Sequence, residues 1–366
     1  GPGFALDLIR RLGMEAAPTG EGIEVTVPTW RGDLGEETDL IEEVLRFHGY
    51  DRIPAALPRL TTGDVRHIPL QDLEESVRDL LSGCGLTELI TYSFIHPEVN
   101  ELFSREAPAN IGNALTENLA SMRLSLLPGL LEAVHHNLSY GTRDGGVFEV
   151  GRRYPLEEGG IVERSTAAFV LFGQAAPHWS DPRRAADYFD AKGIVETIAA
   201  RFHVALEVRA AEPPWGLEGQ SAEAIAGERV VARLGTVSRE VLRKMGVKAN
   251  VIAGEIDLEA LLASTGGWQM EEVSRHPGVP MVLPLLHDRN LDYGTIIAQV
   301  ERADVPWLKE VGLWDRYTPE GSDQIKTTLA MWYQALDRSL TQEEVADTHQ
   351  RLTRILTEAL PVRVAE

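Results

Sequence analysis

The sequence predicts an α+β protein of three modules, and three observations carry that expectation. A half-buried strand followed by a capped acidic helix fills residues 1–58, a longer stretch mixing strands and helices fills 59–273, and residues 274–366 switch to a strand, helix, strand, strand, helix, strand order. The 366 residues, 43% hydrophobic and 25% charged, give room for two or three proper cores.

Taken in order, residues 4–14 read as an amphipathic helix feeding a strand in which Ile23, Val25 and Val27 alternate with polar residues until Pro28. A second helix follows. Asp33 with Glu36 three residues later predicts a capping box, and Gly49 supplies the exit. Ile41, Val44, Leu45 and His48 fall at helical spacing and are expected to pack inward. Asp39, Glu42, Glu43 and Arg46 repeat that spacing on the neighbouring stripe, with Asp33 at the capping end. A hard divalent cation such as Mg2+ takes oxygen ligands, so these carboxylates suit a half-site that another chain or a phosphate completes. The same pattern suits a solvated face, with Asp33 as a cap, Glu36 and Glu37 answering the helix dipole and Glu42 paired with Arg46.

The run VPTWRGDLGEETDLIEEVLRFHGYDRIP, residues 27–54, resembles the signature of the central module of bacterial phenylalanyl-tRNA synthetase beta subunits. The resemblance implies a winged-helix-like fold for this module. It also implies a Mg2+ site at the contact with the alpha subunit, carried over onto Asp33, Asp39, Glu42 and Glu43. Beta chains of that family carry further domains upstream, an oligonucleotide-binding fold and an editing site, with no counterpart here. Gly1-Pro2, without an initiator Met, reads as the remnant of tag removal, and the chain as the back part of a longer protein.

Beyond a Pro-rich joint at residues 53–58, a helix around 70–84 leads into Leu86–Phe94, whose β-branched and aromatic content predicts a strand. The phrases around Arg123 and Leu127-Pro128-Gly129-Leu130-Leu131, then Phe148-Glu149, then Asp190-Ala191-Lys192-Gly193 are similar to three ordered motifs of the same family. They imply the antiparallel sheet of a class II synthetase domain that performs no chemistry. The residues agree, because no Gly-x-Gly-x-x-Arg run occurs and Leu124-Ser125 follow Arg123 where an acid is wanted, so Arg123 is expected in a structural ion pair. Gly145-Gly146 after Asp144 reads as a hairpin turn. Ser238-Arg239 stand where relatives carry a histidine-proline pair. Cys84, the only cysteine, excludes an internal disulfide and a thiolate zinc site, and is expected to be a small buried hydrophobe.

From residue 274 the predicted elements are strand 281–286, helix 293–302, strand 308–317, strand 326–336, helix 342–356 and strand 362–364. That is the ferredoxin-like order, with Ser339 or Thr341 capping the second helix. Gly312-Leu313-Trp314-Asp315 and Ser339-Leu340-Thr341-Gln342 resemble the ferredoxin-like anticodon-binding domain that closes bacterial beta chains, although Pro280-Met281-Val282 replace its usual arginine-aspartate pair.

A net charge of −21 opposes the basic footprint of a nucleic-acid binder, and the last module holds 10 Lys plus Arg against 14 Asp plus Glu. Contacts to tRNA(Phe) are therefore expected to be local, at Lys326, Arg338 and Arg363, and shared with other domains and the alpha chain. The resemblance implies a non-catalytic part of an alpha2beta2 phenylalanine–tRNA ligase that scaffolds the alpha subunit, where ATP is used. A cytoplasmic protein without a membrane span is expected. Two other classes remain open from the residues: a metal-dependent hydrolase built on the acidic helix, and a winged-helix regulator, whose acidic helix would repel DNA phosphate.

Overall fold

The computed structural model describes residues 1–58, 68–175, 183–267, 270 and 272–365. Two compact units emerge, Gly1–Ile68 and Pro69–Glu366. The module boundary expected between 58 and 59 borders residues 59–67, which lie outside the described ones.

The first unit is helix α1 (Pro2–Arg11), hairpin β1 (Glu15–Pro18) and β2 (Ile23–Thr26), and helix α2 (Glu37–His48). Pro at the start of α1 and Arg10 and Arg11 in its last turn fit the helix dipole, while Leu8 and Ile9 are buried. The hairpin is antiparallel with Glu15 opposite Thr26 and Pro18 opposite Ile23. Helix α2 begins three residues later than the predicted capping box required. Its N-cap is Glu36 and the reciprocal partner is Asp39, whose carboxylate accepts the Gly35 and Glu36 amides at 2.7 and 2.8 Å. Gly49 ends the helix at φ 95°, a conformation that favours glycine. The inward stripe also differs from expectation: Ile41 is 49% exposed and His48 is exposed, whereas Glu43 is buried.

In the second unit, α3 (Pro69–Gly83), β3 (Thr87–Glu88), β4 (Phe94–Ile95), α4 (Pro97–Phe103), β5 (Ser121–Met122) and α5 (Leu127–Ser139) precede the long strands β6 (Gly145–Arg153) and β9 (Arg164–Phe172), between which β7 (Leu156–Glu157) and β8 (Gly160–Ile161) form a short hairpin. Then come α6 (Tyr188–Arg201), β10 (Glu207–Ala210), β11 (Gly216–Ala226), β12 (Arg229–Val237), α7 (Arg239–Lys244), β13 (Val251–Asp257) and α8 (Leu258–Ala263). Seven strands pair in the order β10-β11-β12-β13-β9-β6-β3, antiparallel except for the β3–β6 edge. Both faces are covered over the middle of the sheet. Ala167, Phe169 and Ile256 join the core under α3, α6 and α8, while Ala168, Val170 and Ala253 join the core against α5.

Three expectations change here. The predicted strand 86–94 splits into β3 and β4, because Ile90 and Tyr92 between them are 94% and 80% exposed rather than packed. Gly145-Gly146 open β6 instead of turning, and a Cβ on Gly146 would sit 3.0 Å from Leu171 and 3.1 Å from Leu86. Cys84 is exposed, since it follows the last turn of α3 and leaves that helix's buried stripe to Leu73, Val77 and Leu81. Ser238 caps α7, its side chain accepting from the Val241 amide.

Residues 279–364 fold as β14 (Val279–His287), α9 (Tyr293–Ala303), β15 (Leu308–Tyr317), β16 (Ile325–Tyr333), α10 (Gln342–Ala359) and β17 (Val362–Val364). The antiparallel sheet order β15-β16-β14-β17 is the ferredoxin-like one. Leu283, Leu285, Leu329 and Tyr333 meet Ile296, Val300, Leu352 and Leu356 in its core. Thr341 is the cap of α10, in a reciprocal box with Glu344. Prolines 280 and 284 are tolerated in β14 because β17 pairs only with residues 285–287. The Pro284 carbonyl accepts from Ala365 on that side, so the missing N–H also points away from β16.

Candidate functional site

The acidic helix of the first unit is held by arginines. Arg31 in the Pro28-Thr29-Trp30-Arg31-Gly32-Asp33 turn places a two-pronged fork on Asp33, Nε and Nη2 at 3.0 and 2.7 Å, and its Nη2 also donates to Glu43 at 3.0 Å. Arg46 takes the other Glu43 oxygen at 2.6 Å. Hydrogen bonding to Arg31 lowers the Asp33 pKa, Arg46 and then Arg31 lower that of Glu43, and the amides of Glu36 and Gly35 lower that of Asp39. Glu42 is exposed and has no ion pair among the described residues, so the predicted Glu42–Arg46 pair is replaced by Glu43–Arg46.

These four carboxylates do not fit a divalent ion within this chain. Two are neutralised by guanidinium groups, one is spent on the helix start, and no group of three or more metal-type side chains comes together among the described residues. A one-chain metallohydrolase therefore finds no support at this helix.

The second place to look is the sheet face around Arg123. Arg123 is 4% exposed and every near contact is internal. Its Nη1 lies 2.9 Å from Glu149 Oε1 and donates to Thr91 Oγ1 at 2.9 Å, while Nε donates to the Arg152 carbonyl at 2.9 Å. Thr91 in turn donates to Glu149 at 2.6 Å. Gly129 of the Leu-Pro-Gly-Leu-Leu phrase makes room for this network, because a Cβ there would sit 2.3 Å from Thr91 Oγ1. The expected structural role for Arg123 is what the contacts show. Glu149 is the partner that sequence reading left unassigned; its signal was an acid inside the apolar strand Val147-Phe148-Glu149-Val150.

On the ferredoxin-like sheet, Lys326 and Arg363 both lie opposite Leu286, on strands flanking β14, so they share the face away from the buried Leu285 and Thr327. Tyr317, opposite Lys326, lies with its ring centroid 5.9 Å from the Lys326 ammonium, and Arg363 donates to Gln324 at 2.7 Å. Arg338 is not part of that row. It lies in the loop before α10, with Nη1 and Nη2 on the Glu344 carboxylate at 2.9 and 2.7 Å. That contact and the Thr341 amide hold the Glu344 pKa down at about 2.

Among the described residues, no helix is long and apolar enough to cross a membrane. Beside α5, the exposed Ile90, Tyr92, Phe94 and Leu119 line a shallow cleft that sequence reading missed, because the same residue types signal a buried strand.

Three family models match. The tRNA synthetase B5 domain matches residues 3–50, the phenylalanyl tRNA synthetase beta chain CLM domain residues 53–258, and the ferredoxin-fold anticodon binding domain residues 274–364. Curated relatives called phenylalanine–tRNA ligase beta subunit include those of Moorella thermoacetica (34% identity over 97% of this chain and 46% of the relative), Vibrio cholerae (31%, 93% and 44%) and Bacillus subtilis (30%, 96% and 45%). The chain thus spans less than half the length of these relatives. A solved pyrrolysyl-tRNA synthetase from Desulfitobacterium hafniense shows a likeness too slight to carry weight, at TM-score 0.41 and 16% identity, over 53% of this chain and 65% of that one. With the CLM model covering more than half of its residues, this chain belongs to the phenylalanyl-tRNA synthetase beta chain family.

Proposed function

We propose that this chain is a non-catalytic part of a cytoplasmic phenylalanine–tRNA ligase that scaffolds a catalytic alpha subunit and orients tRNA, while ATP-dependent attachment of phenylalanine proceeds on the alpha chain. The observation that carries this reading is the closure of Arg123 onto Glu149, Thr91 and the Arg152 carbonyl, which commits its guanidinium to partners inside the chain. The exposed apolar residues beside α5 support it, since such a cleft is suited to burial by another chain. Lys326 and Arg363, from the open sheet face, and Arg338, from its loop, are proposed to touch the anticodon arm; a basic row with an adjacent aromatic suits single-stranded RNA. Mg2+ at Asp33, Asp39, Glu42 and Glu43 is proposed only for the assembled enzyme, where a partner's groups add to a set that Arg31 and Arg46 neutralise here. Gel filtration of this chain mixed with a bacterial alpha subunit tests the scaffold. Co-elution is expected, and separate elution would overturn it.

A further inference from the structure

A cavity of about 450 Å³ opens on the sheet face that also carries Arg123, floored by β9, β12 and β13 and walled by residues 103–106 and 212–215. Its charge is unbalanced. Five carboxylates (Glu106, Glu212, Glu223, Glu255 and Asp257) face three arginines, and two of those are already matched: Arg153 to Glu106 at 2.8 Å and Asp257 at 3.5 Å, Arg233 to Glu223 at 2.8 Å.

Two groups on the floor stand out among the described residues, one without a direct ion pair and one without any hydrogen bond. Glu255 makes no ion pair among the described residues; its carboxylate accepts the Leu126 amide at 3.1 Å and the Ser125 hydroxyl, with Arg233 opposite it on β12 and Arg153 near enough to act on its charge. Thr166 is 1% exposed, and its hydroxyl is the one buried side-chain polar atom without a hydrogen-bond partner among the described residues. Strand register sets both on the cavity side. Thr166 lies opposite Asp257 and Ala168 opposite Glu255, and both pairs point away from the α3, α6 and α8 face, which Ala167 and Ile256 occupy. An orphaned buried hydroxyl costs stability, the carboxylates of the cavity outnumber its arginines, and one ligand that brings N–H donors and a positive charge answers both.

We propose that this cavity binds a small organic cation through a primary ammonium group, with Glu255 as its counter-charge and Thr166 as an acceptor of one of its hydrogens. No metal-type cluster forms here among the described residues, which favours an ammonium over a bare divalent ion. Burial pushes the Glu255 carboxyl up, and a bound cation favours its ionised form. The site needs neither the alpha chain nor tRNA, so it stands or falls independently of the scaffold role.

The test is isothermal calorimetry of the full 366-residue chain with 1,4-diaminobutane, in two buffers of different ionisation enthalpy near neutral pH. One saturable site, with the same affinity in both buffers, is expected. Glu255→Gln should weaken binding by about tenfold or more, and Thr166→Val should weaken it by a few-fold, about what loss of hydrogen bonds to a charged group gives. Tetramethylammonium, equal in charge per nitrogen but without N–H donors, should bind far less. Melting curves confirm that each variant is folded. Absence of saturable binding at millimolar diamine would overturn the proposal, as would binding that folded Glu255→Gln and Thr166→Val leave unchanged, or equal binding of tetramethylammonium.

Discussion

Replacing Arg123 by Met removes the cation from a pair whose side chains are 5% and 3% exposed, leaving Glu149 with only the Thr91 hydroxyl among its near partners. An uncompensated buried carboxylate of this kind costs about 3–5 kcal/mol. Glu149→Leu strands the guanidinium to a similar extent, still donating to the Arg152 carbonyl and Thr91. Removing both charges together leaves chiefly one unsatisfied carbonyl and one hydroxyl, worth about 1–3 kcal/mol. The double variant should therefore be more stable than either single one, with a favourable coupling of several kcal/mol in a double-mutant cycle. Urea unfolding followed by tryptophan fluorescence reads this directly, because Trp215 is buried in the core next to the same sheet face. Additive single effects, or singles costing less than about 1 kcal/mol, would show that Arg123 is not committed to Glu149 and would reopen its assignment to a ligand.

Further outcomes follow from the same contacts. Thr341→Ala removes the cap and half of the box at α10 and should destabilise the ferredoxin-like sheet by about 1 kcal/mol, measured by chemical unfolding. Burial lowers the His349 pKa below its ordinary 6.5, so the unfolded chain takes up that proton more readily; stability should fall as pH drops through and below 6.5, and His349→Gln should flatten that slope in melting curves. Cys84 should label fully with a maleimide in the folded chain, though slowly, because partial desolvation pushes its thiol pKa up. Calorimetric titration of MgCl2 should give no saturable site on the chain alone, and a site dependent on Glu42 would contradict the arginine clamp.

The ferredoxin-like module was legible almost residue by residue, since its two helices carry clear apolar periods and Thr341-x-x-Glu344, unlike Ser339, places an acid where a capping box needs it. Where the sequence misled, the reason is specific. Asp33, Glu36 and Asp39 repeat at the same spacing, so two capping boxes are written in one stretch, and the choice between them was made by Arg31, which draws Asp33 away from the helix. Glu43 looked like a surface carboxylate because the second of its two cations, Arg31, sits twelve positions upstream, outside any helical spacing. The cavity at Glu255 and Thr166 has no local signature at all, since it arises from cross-strand register between β9 and β13. Exposed Ile90 and Tyr92 read as strand interior because residue type reports apolar character and not what covers it.

The most direct measurement is phenylalanine-dependent exchange of pyrophosphate into ATP, run with the purified chain alone and with a bacterial alpha subunit added. Arg123 closed onto Glu149 predicts no exchange above background from the chain alone, and exchange only when the alpha chain is present. Exchange by the chain alone that disappears in a folded Arg123→Met variant would mean that this sheet face activates the amino acid itself.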